Sequence, residues 1–412
     1  MKKISFINVL VAISITFTIV SCNKSGDRSS VSPVNQKALT EDIMLENGAN
    51  PDEASLSENI ANDASGLNSK TEKEKSHYLY TESNSLGTNH ILVYEISKKG
   101  ILHFAASTSS GGAGSGQALG SQGALVIDKA HEWLYAVNAG SNSVSSFKIH
   151  DDGTLSLAHT VASGGIKPVS VSVYGDLLAV LNNGSDDISA FRIGYGGTLV
   201  AIEGSLKALS ATGVDAPQIS FTPGGELVIV TEKATNIVGT FKVNYDGSLS
   251  DGVFTTSVGN TPFGFEFSRD RFLIVSNAAG GGAGAGSATS YSIANNGVPE
   301  DANGAVANFE AAPCWVAITK HGRFAYVTNT ASNTISSYYV AQWGGLYLVQ
   351  QVAAKTDITP LDIVVAANNF NVYVLNSKSN TIGEYRRKYF GGLEFVSATP
   401  GLPAPATGLA TY

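Results

Sequence analysis

The sequence contains very little cysteine and no concentration of positive charge. Its 412 residues include two cysteines, Cys22 and Cys314, and 26 Lys and Arg against 34 Asp and Glu. With a single cysteine beyond residue 22, an intramolecular disulfide in the globular part is excluded. The formal net charge is −8 and the lysines are scattered. Because nucleic-acid binding requires a basic stripe, we predict no nucleic-acid partner.

Aromatic residues are absent from residues 23–75, where aliphatic residues are sparse and without periodicity. Ser, Asn, Asp, Glu and Lys dominate this segment. Such a composition cannot bury enough apolar surface to offset the conformational entropy of ordering the chain. We therefore predict a disordered tether over residues 22–75, followed by a globular part over residues 76–412.

The segment before the tether has the order of a secretory signal. Residues 1–21 contain two lysines and then an apolar run over 4–20, interrupted only by Ser, Asn and Thr. This run is short for a membrane span and predicts export. Residues 19–22 read Ile-Val-Ser-Cys, which resembles the bacterial lipobox and implies a lipoprotein with a lipidated Cys22. We expect the protein to be anchored to a membrane of the bacterial cell envelope, with the outer membrane preferred. The alternative is an ordinary signal peptide followed by an incidental cysteine.

The remaining chain repeats seven times. Its period is about 48 residues, which is typical of a β-propeller when the repeat holds only strands and tight turns. One strand of each repeat ends in Glu or Asn, at Glu82, Asn138, Asn182, Glu232, Asn277, Asn329 and Asn376. A glycine-containing hairpin turn recurs with the same count, at Gly100, Gly153, Gly197, Gly247, Gly297, Gly345 and Gly392. We predict an all-β fold, a seven-bladed propeller with four strands per blade.

The ends of the chain complete each other. We name the strands of a blade A to D, from the central channel outward. The first repeat begins directly at strand B, over residues 77–82, whereas a further strand A is predicted within residues 405–412. The C-terminal strand should therefore pair into the first blade and close the ring. A propeller closed in this way is expected to be a monomer.

The two faces of the ring differ in their loops. Strand A starts and strand B ends at one face, which also carries the B–C and D–A loops. Glycine-rich loops over residues 107–120 and 278–287, and another long loop over 206–215, lie there, so we call it the decorated face. The opposite, plain face has only short A–B and C–D turns. Since binding sites concentrate in variable loops on a rigid scaffold, we predict a site at the channel mouth on the decorated face.

Candidate site residues are the polar or aromatic side chains at the starts of strands A and the ends of strands B. The predicted ligand-binding residues are Glu82, Gln122, Lys167, Gln218 and Trp315, with Asp362 as a further candidate. Glu232 is the candidate general base for attack by water, and the adjacent Lys233 would stabilise a developing oxyanion. The alternative is that both glutamates only cap their turns, that Lys233 forms a surface pair and that Trp315 is packing.

Histidine provides no further candidate. The seven histidines do not cluster in the predicted blades, and no metal triad or Ser/His/Asp set emerges. We predict no metal site.

The repeat itself resembles a known family. Residues 326–329 read Tyr-Val-Thr-Asn and residues 333–335 read Asn-Thr-Ile, as in the YVTN propellers. Residues 77–412 are similar to the lactonase-type seven-bladed propellers, which include bacterial 6-phosphogluconolactonase and fungal 3-carboxymuconate cyclase. The resemblance implies a cofactor-free enzyme that acts on a small-molecule lactone. The family's enzymes place His after certain strand-A prolines, where this chain has Val169, Gln218, Phe263, Cys314 and Leu361.

Two functions are compatible with the sequence. The first is an exported lactone hydrolase or cycloisomerase, with Glu232 as base and with Lys233, Lys167 and Gln218 polarising the ring carbonyl. The second is a non-catalytic envelope propeller that binds a glycan or other carbohydrate, a peptide or a protein, since a fold does not fix a function. Export argues against 6-phosphogluconolactone as the substrate, because that sugar phosphate is cytosolic.

Overall fold

The structure is a computed structural model that describes residues 77–269 and 271–412. The predictions for the signal peptide, for Cys22 and for the tether lie outside these residues. Nearly all regular structure in the described part is β-strand. Helices within residues 77–269 and 271–412 are limited to three short 3-10 turns, at Tyr195–Gly197, Ala279–Gly281 and Tyr389–Gly391. Within the described part, none is long and apolar enough to cross a membrane.

The strands form seven antiparallel sheets, one per blade, each ordered A-B-C-D. Blade one contains β29 (Thr407–Thr411), β1 (His77–Glu82), β2 (His90–Ile96) and β3 (Leu102–Ser109). Blade two contains β4 (Leu125–Ile127), β5 (Trp133–Asn138), β6 (Ser143–Ile149) and β7 (Leu155–Ala162). Blade three contains β8 (Pro168–Tyr174), β9 (Leu177–Asn182), β10 (Asp187–Ile193) and β11 (Leu199–Ala201), with β12 (Lys207–Ala208) also on β10. Blade four contains β13 (Gln218–Phe221), β14 (Leu227–Glu232), β15 (Ile237–Lys242) and β16 (Val253–Thr256).

The last three blades repeat this order. Blade five contains β17 (Pro262–Ser268), β18 (Phe272–Asn277), β19 (Ser287–Ile293) and β20 (Pro299–Ala307). Blade six contains β21 (Pro313–Ile318), β22 (Phe324–Asn329), β23 (Thr334–Val340) and β24 (Leu346–Lys355). Blade seven contains β25 (Pro360–Val365), β26 (Asn371–Asn376), β27 (Thr381–Arg387) and β28 (Leu393–Pro400). The predicted seven-bladed propeller is confirmed, and all seven B strands end at the predicted Glu or Asn.

Burial decreases from the inner to the outer strands. Strand β22 is buried throughout, whereas only the first residue of β20 is buried. The core lies between blades, as where Ile274 of blade five packs with Val316 and Tyr338 of blade six. Apolar side chains on both faces of strands A to C are therefore needed, because each blade is covered by two others.

The C–D turns explain the recurring glycine. Gly153 has a φ of +75°, and a Cβ at this position would lie 2.4 Å from the Tyr78 ring. The carbonyl of the turn glycine also accepts a hydrogen bond from another blade, as from Tyr80 to Gly153 at 3.0 Å. In blades six and seven the positive φ falls one residue earlier than predicted, at Gly344 and Gly391. Glycine is used here because the turn needs both a left-handed backbone and close packing.

The C-terminal strand closes the ring as predicted. Strand β29 pairs antiparallel with β1, and Tyr80 lies opposite Ala410. The Tyr412 ring stacks at 6.2 Å from that of Tyr80 and at 5.1 Å from His131 of blade two. The strand therefore joins blade one to its neighbour as well as completing its own sheet.

Blade two departs from the predicted boundaries. The repeat pattern of blade two predicts a strand A over residues 121–127, but regular pairing begins at Leu125. The preceding backbone bonds to other blades instead: Gln122 N–H donates to the Pro217 carbonyl at 3.1 Å, and Val171 N–H donates to Gly123 at 2.8 Å. The glycine-rich D–A loop is also shorter than predicted, because β3 continues to Ser109.

Candidate functional site

Two predicted residues span the decorated end of the channel. The Gln122 amide donates to the Val316 carbonyl at 2.7 Å and accepts from the Val316 N–H at 3.2 Å. The Trp315 indole N–H donates to the Ser121 carbonyl at 2.8 Å. Blades two and six are thereby joined directly, and both side chains are more than nine-tenths buried. These bonds close the channel at this level.

The floor of this closure is tightly packed. Gly264 of β17 lies against it, and a Cβ there would come within 2.3 Å of the Gln122 amide oxygen and 2.5 Å of the Cys314 carbonyl. Gln218 makes a second two-way amide bond, donating to Phe265 at 2.9 Å and accepting from its N–H at 2.7 Å. Gln218 therefore joins blades four and five below the mouth and is not free to face it.

Lys233 stands above this floor. Its ammonium pairs with Asp215 at 3.0 Å and lies 4.6 Å from the centre of the Phe263 ring, with only 14% of the side chain exposed. Phe263 packs on Trp315 at a ring distance of 5.0 Å, and its carbonyl accepts from Thr231 at 2.6 Å. A cation held over an aromatic floor at the mouth is suited to binding a carbonyl or carboxylate oxygen.

Cys314 lies beneath the same mouth. Burial raises the pKa of its thiol to about 11, an effect that a hydrogen bond with Thr330 and the charge of Lys233 offset only in part. The thiol is therefore protonated at neutral pH, and because the thiolate is the nucleophilic form, Cys314 is a packing residue.

Glu232 is fully buried and has three donors. Ser210 donates to it through both its backbone N–H, at 3.0 Å, and its hydroxyl, and Thr235 donates at 2.6 Å. Ser210 belongs to the D–A loop and Thr235 to the B–C turn. The carboxylate thus holds two decorated-face loops together, and Ser210, which donates to it, is a half-buried residue.

Glu82 and Lys167 lie apart from the cluster formed by Lys233, Asp215 and Phe263. Glu82 is fully buried, where Asn89 donates to it at 2.9 Å, and burial raises its pKa well above the usual range. Asn89 also donates to Val137 of blade two, so this cluster lies in a seam between blades. Lys167 is exposed, and its backbone N–H donates to Asn142 at 2.7 Å. Of the predicted residues, the structure brings together Gln122, Trp315 and Lys233.

Asp362 and Gln218 instead line a cavity inside the ring. Its volume is about 370 Å³, and it extends from Gln122 along the inner strands towards the plain face. Asp362 accepts from the N–H groups of Ile363 at 2.8 Å and Leu409 at 2.9 Å. Burial nevertheless raises the pKa of its carboxyl to about 8.

Sequence reasoning missed the partners that fix Lys233. Asp215 lies in the loop before blade four, which carries Lys233, and Phe263 belongs to blade five. Their proximity to Lys233 therefore depends on the packing of the blades in the closed ring. Phe263 had one signal, because it follows a strand-A proline, and the resemblance to the lactonase-type propellers implies His after that proline in certain blades. Among residues 77–269 and 271–412, no group of three or more His, Cys, Asp or Glu could hold a metal ion.

Comparison with solved structures shows the same fold. A protein from Bacteroides fragilis, provisionally named as a 6-phosphogluconolactonase, is 18% identical with a TM-score of 0.67, covering 84% of this chain and 100% of its own. A periplasmic gluconolactonase from Pseudomonas aeruginosa is 17% identical with a TM-score of 0.63, covering 81% and 98%. A protein from Lactobacillus plantarum is 18% identical with a TM-score of 0.68, covering 82% and 99%. At these identities the likeness establishes the fold alone.

The sequence comparison is more specific. No curated protein matches the chain. The family model described as "Lactonase, 7-bladed beta-propeller" matches residues 70–216 and 289–407, which is more than half of the sequence. The chain therefore belongs to the family of seven-bladed β-propeller lactonases.

Proposed function

We propose that this protein is a cofactor-free enzyme, a hydrolase or cycloisomerase, that acts on a small-molecule lactone at the decorated face. The observation that carries the proposal is Lys233, held over the Phe263 ring by Asp215 at the closed channel mouth, in a chain of the lactonase family. The periplasmic gluconolactonase with this fold supports lactone chemistry outside the cytoplasm.

Lys233 would stabilise charge on the substrate carbonyl. Attack on a lactone converts its carbonyl oxygen to an oxyanion, and a cation already in place strengthens most as that charge develops. The ion pair with Asp215 limits the motion of the ammonium. Because the Lys233 side chain is mostly buried, its charge acts in a medium of lower dielectric than water and interacts more strongly with the oxyanion. The packed Phe263 and Trp315 rings provide the floor beneath the group that is bound.

Glu232 would act as the base through Ser210. The Ser210 hydroxyl donates to Glu232 and is half-buried, so its oxygen can accept a proton from an attacking water while its own proton passes to the carboxylate. The water oxygen bonds to the carbonyl carbon and forms a tetrahedral intermediate. The ring C–O bond then breaks, and the proton held by Glu232 returns through the Ser210 hydroxyl to the leaving ring oxygen, which releases a hydroxy acid and regenerates the carboxylate. This route gives Glu232 a catalytic proton without exposing its carboxylate.

The remaining sequence predictions are part of the same proposal. Gln122 and Trp315 form the floor of the site. Lys167, Glu82 and Gln218 are expected to influence substrate binding less directly, because their hydrogen bonds are with residues other than Lys233. We also propose a monomer tethered through a lipid on Cys22 to a membrane of the cell envelope. If the protein is exported in this way, its substrate would be a sugar lactone without a phosphate.

The test is hydrolysis by the purified full-length chain, followed by proton release, across sugar lactones, muconolactones and acyl-homoserine lactones. Lys233→Met should lose turnover while the protein keeps its melting temperature. Glu232→Gln should lose turnover in a protein that stays folded but melts at a lower temperature, because the bonds from Ser210 and Thr235 are weakened. The matched control is Lys148→Met, because Lys148 also pairs with a carboxylate, Glu132 at 2.7 Å, and lies over an aromatic ring, Trp133 at 5.1 Å. Control turnover should equal that of the wild type.

The competing function is a non-catalytic propeller that binds a glycan, peptide or protein. A folded, monodisperse sample without turnover on any lactone class would contradict the enzyme and favour this binding role. Turnover that survives both Lys233→Met and Glu232→Gln would leave lactonase activity in place but contradict the site.

A further inference from the structure

The cavity inside the ring is separate from the Lys233 mouth. The geometry points to a second binding site there, entered from the plain face, for an uncharged polyol about the size of a monosaccharide. The cavity volume of about 370 Å³ falls within the range of small-molecule sites, roughly 300–1,000 Å³.

The burial pattern of the inner strands indicates from which face solvent enters the cavity. In β21 the first five residues are buried and Ile318 is half-buried. In β25 burial likewise ends before Val364, and in β17 Glu266 is exposed. Because strands A run from the decorated to the plain face, solvent reaches the cavity from the plain face. The Gln122 and Trp315 bonds close the other end.

The cavity wall offers hydrogen bonds of both kinds. Asp362 lies at its closed end and Glu266 nearer the opening, with the Ser172 and Ser220 hydroxyls, 3.5 Å apart, between blades three and four. Each oxygen of Asp362 accepts one backbone N–H, and a carboxyl oxygen has room for a second partner. Carboxyl and hydroxyl groups in this arrangement suit the many hydroxyls of a polyol.

The same wall selects against anions. The described residues that line the cavity include no Lys, Arg or His, whereas they include two acidic side chains. A bound carboxylate or phosphate would therefore lose its hydration without a compensating cation, and would lie near the Glu266 carboxylate. The apolar parts of the wall, with Phe267 half-buried near the opening, suit the C–H face of a sugar ring. An uncharged ring with several hydroxyls satisfies both conditions.

The experiment uses probes that cannot be lactonase substrates. Binding of methyl glucoside and of methyl glucuronide, which share a ring and differ in one carboxylate, is titrated by ligand-observed NMR on the full-length chain. We expect the glucoside to bind and the glucuronide to bind at least about tenfold more weakly, because its carboxylate would lose hydration in a cavity whose described lining offers no cation. Failure of the glucoside to bind, or equal binding of both probes, would overturn the inference.

Two variants locate the binding. Ser220→Leu fills the cavity at a half-buried position and should abolish glucoside binding, with the melting temperature recorded to show that the fold persists. Glu266→Gln changes charge at an exposed position and should narrow the preference for the glucoside. Lys148→Met, outside the cavity, should bind like the wild type. Glucoside binding that survives Ser220→Leu in a folded protein would place the ligand elsewhere and reject the site.

These outcomes are independent of the proposed lactonase. Loss of lactone turnover in Lys233→Met bears only on the decorated face, because neither methyl glycoside has a lactone carbonyl. The channel site can therefore fail while the enzyme stands, and the enzyme can fail while the channel site stands.

Discussion

At the decorated end of the channel, Trp315 and Gln122 join opposite parts of the ring and Lys233 supplies a cation above them. At the plain end, the same set of inner strands leaves an open cavity with Glu266 and Asp362 on its wall. The backbone differs little between the two ends, since each strand A contributes to both. The contrast shows how a few side chains at strand starts close one end of the channel beneath Lys233, while the other end stays open with Glu266 near the opening.

Both ends depend on closure of the ring, so the largest effect should come from deleting residues 401–412. This deletion removes β29, its pairing with β1 and the contacts of Tyr412. The loss should be comparable with the whole free energy of unfolding of a domain, about 5–15 kcal/mol. Thermal unfolding followed by circular dichroism measures it, with Tyr412→Phe as the control. A deletion variant that melts at the wild-type temperature would refute closure as the source of stability.

The decorated end can be changed alone through Lys233→Met. Removing one preorganised oxyanion-stabilising group costs about 10²–10³-fold in kcat, and we expect a loss of this size on the best lactone. Stability should change little, because methionine can still cover the Phe263 ring. Steady-state kinetics beside Lys148→Met provides the measurement. Equal turnover of both variants would show that the mouth does not carry the chemistry.

The inner cavity should give a pH dependence of stability through Asp362. Its pKa rises from 3.8 to about 8 on folding, so between these values only the folded state holds the proton. The free energy of unfolding should therefore fall as pH rises from 4 to 8, by up to about 1.4 kcal/mol per pH unit. Below pH 4 this contribution is fully present, and above pH 8 it is lost.

Urea unfolding at pH 5, 6.5 and 8 measures this slope. Asp362→Asn should flatten it in part, because the buried Glu82, whose pKa is also raised, contributes with the same sign. An unchanged slope in Asp362→Asn would show that Asp362 is ionised in the folded protein.

The smallest expected effect is a loss of stability on changing either of the two side-chain amides, Gln122 and Gln218, that join inner strands. Gln122→Glu and Gln218→Glu each replace an N–H donor by a second oxygen beside a backbone carbonyl, and each should cost about 1–3 kcal/mol of stability. Only Gln122→Glu should accelerate hydrogen exchange of the Trp315 indole N–H, because Gln122 alone bonds beside Trp315, at Val316. Three tryptophans make that NMR signal assignable. Equal acceleration by both variants would argue against a local closure.

Much of the fold could be predicted because the sequence of each blade repeats the same pattern. The Glu or Asn at the end of each strand B and the glycine of each C–D turn recur at spacings that only a repeated four-stranded unit explains. Closure by residues 407–411 was also predictable, since the first repeat lacks a strand A. The start of strand A in blade two was not, because Gln122 and Gly123 leave the ladder for bonds to other blades.

The candidate site was predictable only as a set of positions. Gln122, Trp315 and Lys233 were found by their places at strand ends, but the same reasoning grouped them with Glu82 and Lys167, whose contacts are with other parts of the ring. Sequence reasoning also placed Asp362 at the decorated mouth, whereas it lines the inner cavity. Strand order assigns a residue to a face, but not the direction in which its side chain points across a closed ring.

The sequence by itself therefore determined the all-β class, the seven blades, the closing strand and the lactonase family, because each is encoded in local spacing and motif. The tertiary structure decided which end of the channel is closed, which partners hold Lys233, and which carboxyl groups are buried. Those properties arise from contacts between residues almost two hundred positions apart, such as Gln122 with Val316. Local pattern contains no information on such contacts until the ring brings the blades together.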